Sequence, residues 1–498
     1  MNSKEQLINF ALFQSLLLII LFCSGLFVEA LGKNINEIDL FLAVAICIVT
    51  SSFLLTVMLI VFKKYNHFSK RYYLLNPIFV LNGSILLRVY YPYFFQLVSG
   101  SYQRNLSIQE DVYLMPMLVI SFAILIANVI MISLEEKNIS TQEFNLENFS
   151  FFHKKQSLLT FLFLFSIAWL SWITQYFVGG YFHAIYTAGQ FEVSSSVLGI
   201  LSALSDRIAP LLWFALSVLY FRGFAKSRRY KIFFWVSLFA HFIFFLPSGS
   251  KSDILLPWIF LAMTWAVFNP SKKDKLLLII AICLLIVFIP IYNTYRTYQN
   301  KKFKGNLVSN ISFRYYFSTQ KSEQGLLYFF LSKFTGRLDH LSSYLVLTKE
   351  VPTSYDFIYG NSYLPILTSY IPRVIFPSKP TQLDQNELAR KVRLINPNDR
   401  TTSIGIMPWG EAYLNFGYIG VVFVFILLAL FFHALYFSTF FSTNRISLLK
   451  LSFYGFALYW LIVRQSLLLG LFGIIIQAAM IIGLSYILVS PLFSFQSH

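Results

Sequence analysis

Charge is scarce in this sequence: 12% of its 498 residues are Asp, Glu, Lys or Arg, against about a quarter in soluble domains. That shortage excludes an ordinary water-soluble globule, which needs more polar surface. Cysteine is scarcer still. Cys23, Cys47 and Cys283 lie far apart inside apolar runs, without the spacing of a disulfide framework or a zinc site. They read as small core or lipid-facing residues. The chain has no low-complexity tract and no internal repeat, and the lack of similar halves counts against an inverted-repeat transporter.

Apolar and aromatic side chains fill the space that charge leaves. The chain is 57% hydrophobic and 19% aromatic, with 55 Phe and 30 Tyr, as suits lipid-facing helices edged by interfacial rings. The net charge of +17 would point to nucleic acid in a soluble protein. Here cytoplasmic loops that collect Lys and Arg explain it, and nucleic-acid binding is not expected.

Windows of about 20 apolar residues mark candidate spans. Twelve are expected, at 7–31, 38–62, 72–98, 112–134, 157–178, 196–221, 232–247, 254–269, 276–294, 416–440, 447–463 and 467–490. The first is too long for a signal-peptide core and reads as an uncleaved span. Lys63, Lys64, Lys70 and Arg71 follow the second span, and Lys137, Lys154 and Lys155 the fourth. Arg222 to Lys231 follow the sixth, Lys272, Lys273 and Lys275 the eighth, and Arg445 and Lys450 the tenth. These are alternate loops, so the positive-inside rule places both termini in the cytoplasm. The expected fold is therefore an all-α polytopic membrane protein of about 12 transmembrane helices. Residues 1–294 hold spans one to nine, 295–415 form one large outer-face loop region, and 416–498 hold the last three spans. Long structured loops commonly carry function, which draws attention to 295–415.

Ionisable residues at membrane depth are costly and need a reason. Arg88 falls in the third span, Asp206 and Arg207 in the sixth, and Arg464 ends the eleventh. Lys251 and Asp253 sit in the turn Pro247-Ser248-Gly249-Ser250-Lys251-Ser252-Asp253, and Arg296 just past the ninth span. Snorkelling side chains or structural ion pairs would account for them. A basic pocket at the outer leaflet is the functional alternative, since guanidinium groups bind phosphate oxygens in pairs and stay charged when partly desolvated. An anion found there beneath a sugar is a polyprenyl diphosphate.

Within the outer segment, Gly336-Arg337-Leu338-Asp339-His340-Leu341-Ser342-Ser343-Tyr344 reads as a helix from Arg337 onward. At helical spacing Arg337, His340, Tyr344 and Thr348 share a face, and Asp339 points nearly the other way. A surface helix with a solvated polar face is the plain alternative. Further on come Gly360-Asn361-Ser362-Tyr363 and Ile371-Pro372-Arg373-Val374-Ile375-Phe376-Pro377-Ser378-Lys379-Pro380. The prolines forbid a regular helix around Arg373 and Lys379. A polar loop with Arg390, Arg393 and Arg400 leads to Pro408-Trp409-Gly410-Glu411-Ala412-Tyr413-Leu414-Asn415-Phe416-Gly417. There Glu411, Asn415 and Tyr418 follow i, i+4, i+7 spacing and give the outer end of the tenth span a polar face. Glu411 suits a general base for a sugar hydroxyl, or equally a first-turn carboxylate favoured by the helix dipole.

Arg337-Leu338-Asp339, the Gly360-to-Pro380 run and the Gly410-to-Gly417 run, in this order, resemble Wzy-type oligosaccharide repeat-unit polymerases, which make O-antigen and capsular polysaccharide. The turn at 247–253 and Arg464 fit the same pattern. The resemblance implies a GT-C-like, inverting glycosyltransferase that needs no metal and no cofactor. It would work in the bacterial cytoplasmic (inner) membrane with its active site facing the periplasm. Its substrates would be undecaprenyl-diphosphate-linked oligosaccharides in the lipid bilayer, with a chain-length regulator protein and a flippase as partners. No Asp-x-Asp occurs in 295–415, so cationic side chains would stabilise the departing diphosphate. Arg337, Arg373 and Arg464 lead for that role, with Arg88, Lys251, Arg207, Arg296 and Lys379 as further diphosphate ligands. Glu411 leads for the base, ahead of His340 and Asp339; Tyr413, Asn415, Trp409 and Tyr344 would contact sugar. An O-antigen ligase is the first alternative, and a flippase or transporter for the same lipid-linked substrate the second.

Overall fold

The structure, a computed structural model, describes residues 9, 11–21, 36–66, 76–99, 114–138, 228–245, 339–368, 385–398, 405–440 and 448–461. It also describes isolated positions at 166, 169, 170, 213, 216, 217, 220, 256–258, 260, 261, 264, 328, 331, 332, 335, 371, 376, 378, 468, 472 and 476. Helix is the only regular structure among them. Four described helical stretches are long and apolar enough to cross a membrane, at Leu42–Val61, Pro77–Phe95, Leu114–Leu134 and Pro408–Phe440. They coincide with the expected second, third, fourth and tenth spans. The expected first span is described as a shorter apolar helix, α1, at Ala11–Leu21. Spans expected at 157–178, 196–221, 254–269, 276–294 and 467–490 lie wholly or mostly outside the described residues.

The chain divides into two compact units, Met1–Phe163 with His340–His498, and Leu164–Asp339. In the first unit α2 runs Asn36–Asn66, followed by α3 at Pro77–Ile85, a π-helical turn at Leu86–Tyr90 and α4 at Tyr91–Ser99. Asn76 starts α3, its side chain accepting from the amide of Ile78, with Pro77 at a first-turn position that needs no donor. Then comes α5, Leu114–Asn138. The buried residues Met117, Ile120, Ala123, Ala127 and Met131 recur every three to four positions along it, a helical stripe that packs inward. Ile48, Leu55, Leu59 and Val129 lie exposed on these same helices. Apolar residues on the outside and polar ones inside suit a lipid environment. The inside accordingly holds a reciprocal amide pair: Asn82 donates to Asn128 at 2.9 Å and Asn128 donates back at 3.0 Å. Cys47 is buried in α2, in keeping with a core role.

In the second unit α6 spans Arg228–Phe245, corresponding to the expected seventh span. Its Phe234 and His241 meet Trp213 edge-on at centroid distances of 6.1 and 5.1 Å. Trp235 approaches Trp258 at 6.5 Å. Aromatic packing of this kind holds the described part of that unit together.

The rest of the first unit comprises α7 (Leu341–Glu350), α8 (Leu364–Thr368), α9 (Gln385–Lys391), α10 (Pro408–Phe440) and α11 (Leu448–Tyr459). Three expectations are corrected here. The helix expected from Arg337 begins at Leu341, because the amide of His340 donates to the carbonyl of Arg88 at 3.3 Å rather than continuing a helical ladder. With φ −112° His340 stands at the cap position of α7. The stretch around Arg390, expected as loop, contains α9, stitched by an i, i+4 pair between Lys391 and Glu387 at 2.8 Å. It closes with Arg393 at φ 57°, in the left-handed region common at helix ends.

The third correction concerns the tenth span, whose helix starts at Pro408 rather than 416. It is kinked at Phe416 and Gly417, the glycine holding φ 63° and ψ −153°. That combination is open essentially to glycine alone. Gly420 then passes so close to the carbonyl of Ala412 that any side chain there would collide with it. The kink breaks the expected i+7 alignment of Tyr418 with Glu411; the Tyr418 ring instead lies 5.0 Å from that of Tyr413. Beyond the kink Val421, Val424, Phe425, Leu428, Ala429 and Phe432 are buried, and α10 packs along α5.

Candidate functional site

Arg88 lies within an apolar helix and is 5% exposed. The π-helical turn explains its inward course. In an ordinary helix three consecutive side chains fan through most of a circle. Here the Tyr91 amide reaches back to the carbonyl of Leu86, five residues away, and Arg88, Val89 and Tyr90 are all buried while Leu87 stays exposed. Such wide turns occur frequently at functional positions. Tyr90 anchors the turn through a 2.9 Å hydrogen bond with Ser121 on α5.

Among the described residues the guanidinium of Arg88 makes one polar contact, from Nη1 to the sulfur of Met407 at 3.8 Å. Among the described residues no carboxylate forms an ion pair with it. His340 adjoins it, bound through its own amide to the Arg88 carbonyl. The imidazole is 6% exposed, and its Nε2 has no hydrogen-bond partner among the described residues. Burial, and then the neighbouring Arg88 charge, push its pKa down to about 3, while a hydrogen bond to the backbone of Gly405 opposes that shift. His340 is therefore neutral near pH 7. The bond to Gly405 favours the protonated ring, so the ring donates there, from Nδ1, and leaves the Nε2 lone pair available. Arg88, His340 and the 405–407 segment leading into α10 thus form one polar corner.

The second cluster surrounds Glu411, which is 0% exposed. Its Oε1 accepts from the Ser362 hydroxyl at 2.8 Å, and its Oε2 accepts from the Leu468 amide at 2.6 Å. Asn415, one turn on, donates to the Ser362 hydroxyl at 2.8 Å and to the Glu411 carbonyl at 2.7 Å, and accepts from the Gly360 amide at 2.7 Å. Three segments distant in sequence are thereby tied together. Tyr363 leans on this cluster; burial and then the nearby Glu411 raise the pKa of its phenol.

The residues expected to touch sugar are all buried. The Tyr413 hydroxyl donates to the carbonyls of Val351 at 3.0 Å and Thr348 at 3.3 Å, and its ring meets Tyr344 edge-on. Burial raises the phenol pKa of Tyr344. Trp409 stacks on Phe425 at 5.7 Å. Asp339 ends the second unit, its amide donating to the Thr335 carbonyl at 2.9 Å. Arg337, Arg373, Arg464, Lys251, Arg207, Arg296 and Lys379 lie outside the described residues. Of the expected set, the structure brings Arg88 together with His340, Glu411 with Asn415, and Tyr413 with Tyr344.

Sequence reasoning missed Ser362, Met407, Gly405 and the Leu468 amide. Ser362 stood in a quoted motif, yet no spacing rule links it to a carboxylate 49 residues away. The amide of Leu468 carries no side-chain signal at all.

These features define an all-α protein with helices long and apolar enough for a membrane, and with two buried polar clusters. Residues 181–438, just over half of the chain, match the family described as Domain of unknown function (DUF8712), and the chain belongs to that family. The matched stretch contains His340, Glu411 and Asn415 but stops short of Arg88. No curated protein and no solved structure matches the chain.

Proposed function

We propose that this protein is a membrane glycosyltransferase of the Wzy type, polymerising undecaprenyl-diphosphate-linked repeat units at the outer face of the bacterial cytoplasmic membrane. The observation that carries the reading is Arg88: a guanidinium buried in a span, beside a neutral histidine, with no carboxylate paired to it among the described residues. Arginine keeps its proton in such a place, and an uncompensated buried charge is costly by several kcal/mol. A diphosphate group offsets that cost and matches the planar donor fork.

In this reading Arg88 holds the donor lipid's diphosphate. The acceptor sugar's hydroxyl oxygen attacks the anomeric carbon, the bond from that carbon to the phosphate oxygen breaks, and the diphosphate leaves with the electron pair. His340 Nε2 takes the hydroxyl proton. Diphosphate beside Arg88 also relieves the second of the two effects that depress the His340 pKa, so the imidazole becomes a better base when donor is bound. Glu411, with both oxygens engaged, is a positioning residue that fixes Ser362 and the start of α10.

Deletion of the gene in its source bacterium tests this. The expected result is loss of long polysaccharide with accumulation of single repeat units on the lipid carrier, restored by the wild-type gene. Unchanged chain lengths would refute the assignment.

A further inference from the structure

The run 357–372 contains no charged residue, lying between Asp356 and Arg373. It is part of the segment that the sequence placed in an outer loop, yet its apolar side chains do not all turn inward. Ser362 and Pro365 are buried, whereas Tyr359 is 75%, Leu364 52% and Leu367 68% exposed. Outward and inward positions thus alternate at roughly helical spacing. Tyr359 holds φ 45° and Gly360 φ 87°, two successive left-handed residues that turn the chain sharply here.

This segment rests against the first turns of α10. The Ile358 amide donates to the Leu414 carbonyl at 3.1 Å and the Gly360 amide to Asn415 at 2.7 Å. The rings of Tyr363 and Phe416 are 6.2 Å apart. A side chain on Gly360 would meet the Phe416 ring at 3.2 Å, so the two surfaces adjoin with no room between them. Phe416, Ile419 and Phe423 are themselves exposed, at 50%, 83% and 63%. They begin the outward apolar stripe that continues along α10 through Leu430. The exposed residues of 359–367 therefore prolong the lipid-facing stripe of a spanning helix past its end.

We infer that residues 359–367 form an interfacial membrane anchor, with Leu364 and Leu367 in the acyl region and Tyr359 at headgroup level, in the leaflet that holds the N-terminal end of α10. Continuity with that stripe selects lipid as the occupant. Tyrosine is enriched at this depth, and short elements with one apolar face lie in the membrane plane. By clamping residues 360–362 against Glu411 and Asn415, the anchor couples the outer segment to the bilayer surface. The inference does not depend on which reaction the protein performs.

The test uses the full chain with its three cysteines replaced by alanine, reconstituted in liposomes. A spin label is placed at Leu364→Cys or Leu367→Cys, with exposed Thr353→Cys as reference. Collision with dissolved oxygen should dominate at 364 and 367, and collision with an aqueous nickel chelate at 353. Chelate access at 364 and 367 equal to that at 353 would overturn the anchor. Exclusion of both reagents at those two positions would overturn it as well, by showing a protein partner or a second copy there instead of lipid.

Discussion

Arg88 and Glu411 are both buried, but the groups around them differ. Glu411 has a donor on each oxygen, and Asn415 ties the same serine back to the helix. Arg88 has a thioether at 3.8 Å and a histidine whose Nε2 has no partner among the described residues. A fully satisfied buried network rigidifies and specifies a fold. A buried cation without a matching anion costs stability, and keeping one is consistent with binding an anionic ligand. The two clusters flank the start of α10, one from each side in sequence, so a satisfied network and a less satisfied corner share one helix end.

The largest effect should come from Glu411→Ala. It strips acceptors from a buried hydroxyl and a buried amide, at roughly 2–6 kcal/mol together, and thermal unfolding in detergent should show a large fall in Tm. Glu411→Gln keeps one acceptor and should fall in between. Arg88→Ala removes a charge that has no ion-pair partner among the described residues and should leave Tm nearly unchanged. Equal losses for Arg88→Ala and Glu411→Ala would erase the distinction between the clusters.

Tyr413→Phe is a smaller perturbation of the frame. It keeps the ring between Tyr344 and Tyr418 and removes the hydroxyl's bonds to Val351, Thr348 and Tyr418, for about 1–2 kcal/mol. The same melting experiment reads it, and full activity is expected below the melting range.

The titration of His340 leaves stability near neutral pH untouched and shows only on acidification. The folded protein holds His340 at a pKa of about 3 against an ordinary 6.5. The unfolded chain therefore takes up a proton first as pH falls. This contribution to stability is complete above about pH 6.5 and is lost progressively toward pH 3. His340→Gln should flatten the acid side of the Tm–pH curve in that window, and an unchanged slope would contradict the neutral, buried imidazole.

How much of this was legible depends on the range of each interaction. Long apolar runs announced α2, α3 to α4, α5 and α10, because lipid exposure demands them. Arg88 was conspicuous as a charge at membrane depth. The i, i+4 relation of Glu411 and Asn415 is real, seen as the Asn415 amide bonding the Glu411 carbonyl. Where tertiary contacts override local pattern, the sequence misleads: His340 leaves the helical ladder for Arg88, and Gly417 turns Tyr418 off the expected face. Contacts across 49 and 57 residues, from Glu411 to Ser362 and Leu468, have no local trace.

In the proposed function the Arg88–His340 corner binds a lipid diphosphate. The direct measurement is the affinity of undecaprenyl diphosphate for the purified protein in nanodiscs, wild type against Arg88→Ala, with undecaprenyl alcohol as the uncharged control. Charge-assisted hydrogen bonds worth about 1.5–3 kcal/mol correspond to roughly a tenfold to hundredfold loss of diphosphate affinity in the variant, with the alcohol unaffected. Equal diphosphate affinity in a properly assembled Arg88→Ala protein would contradict the account.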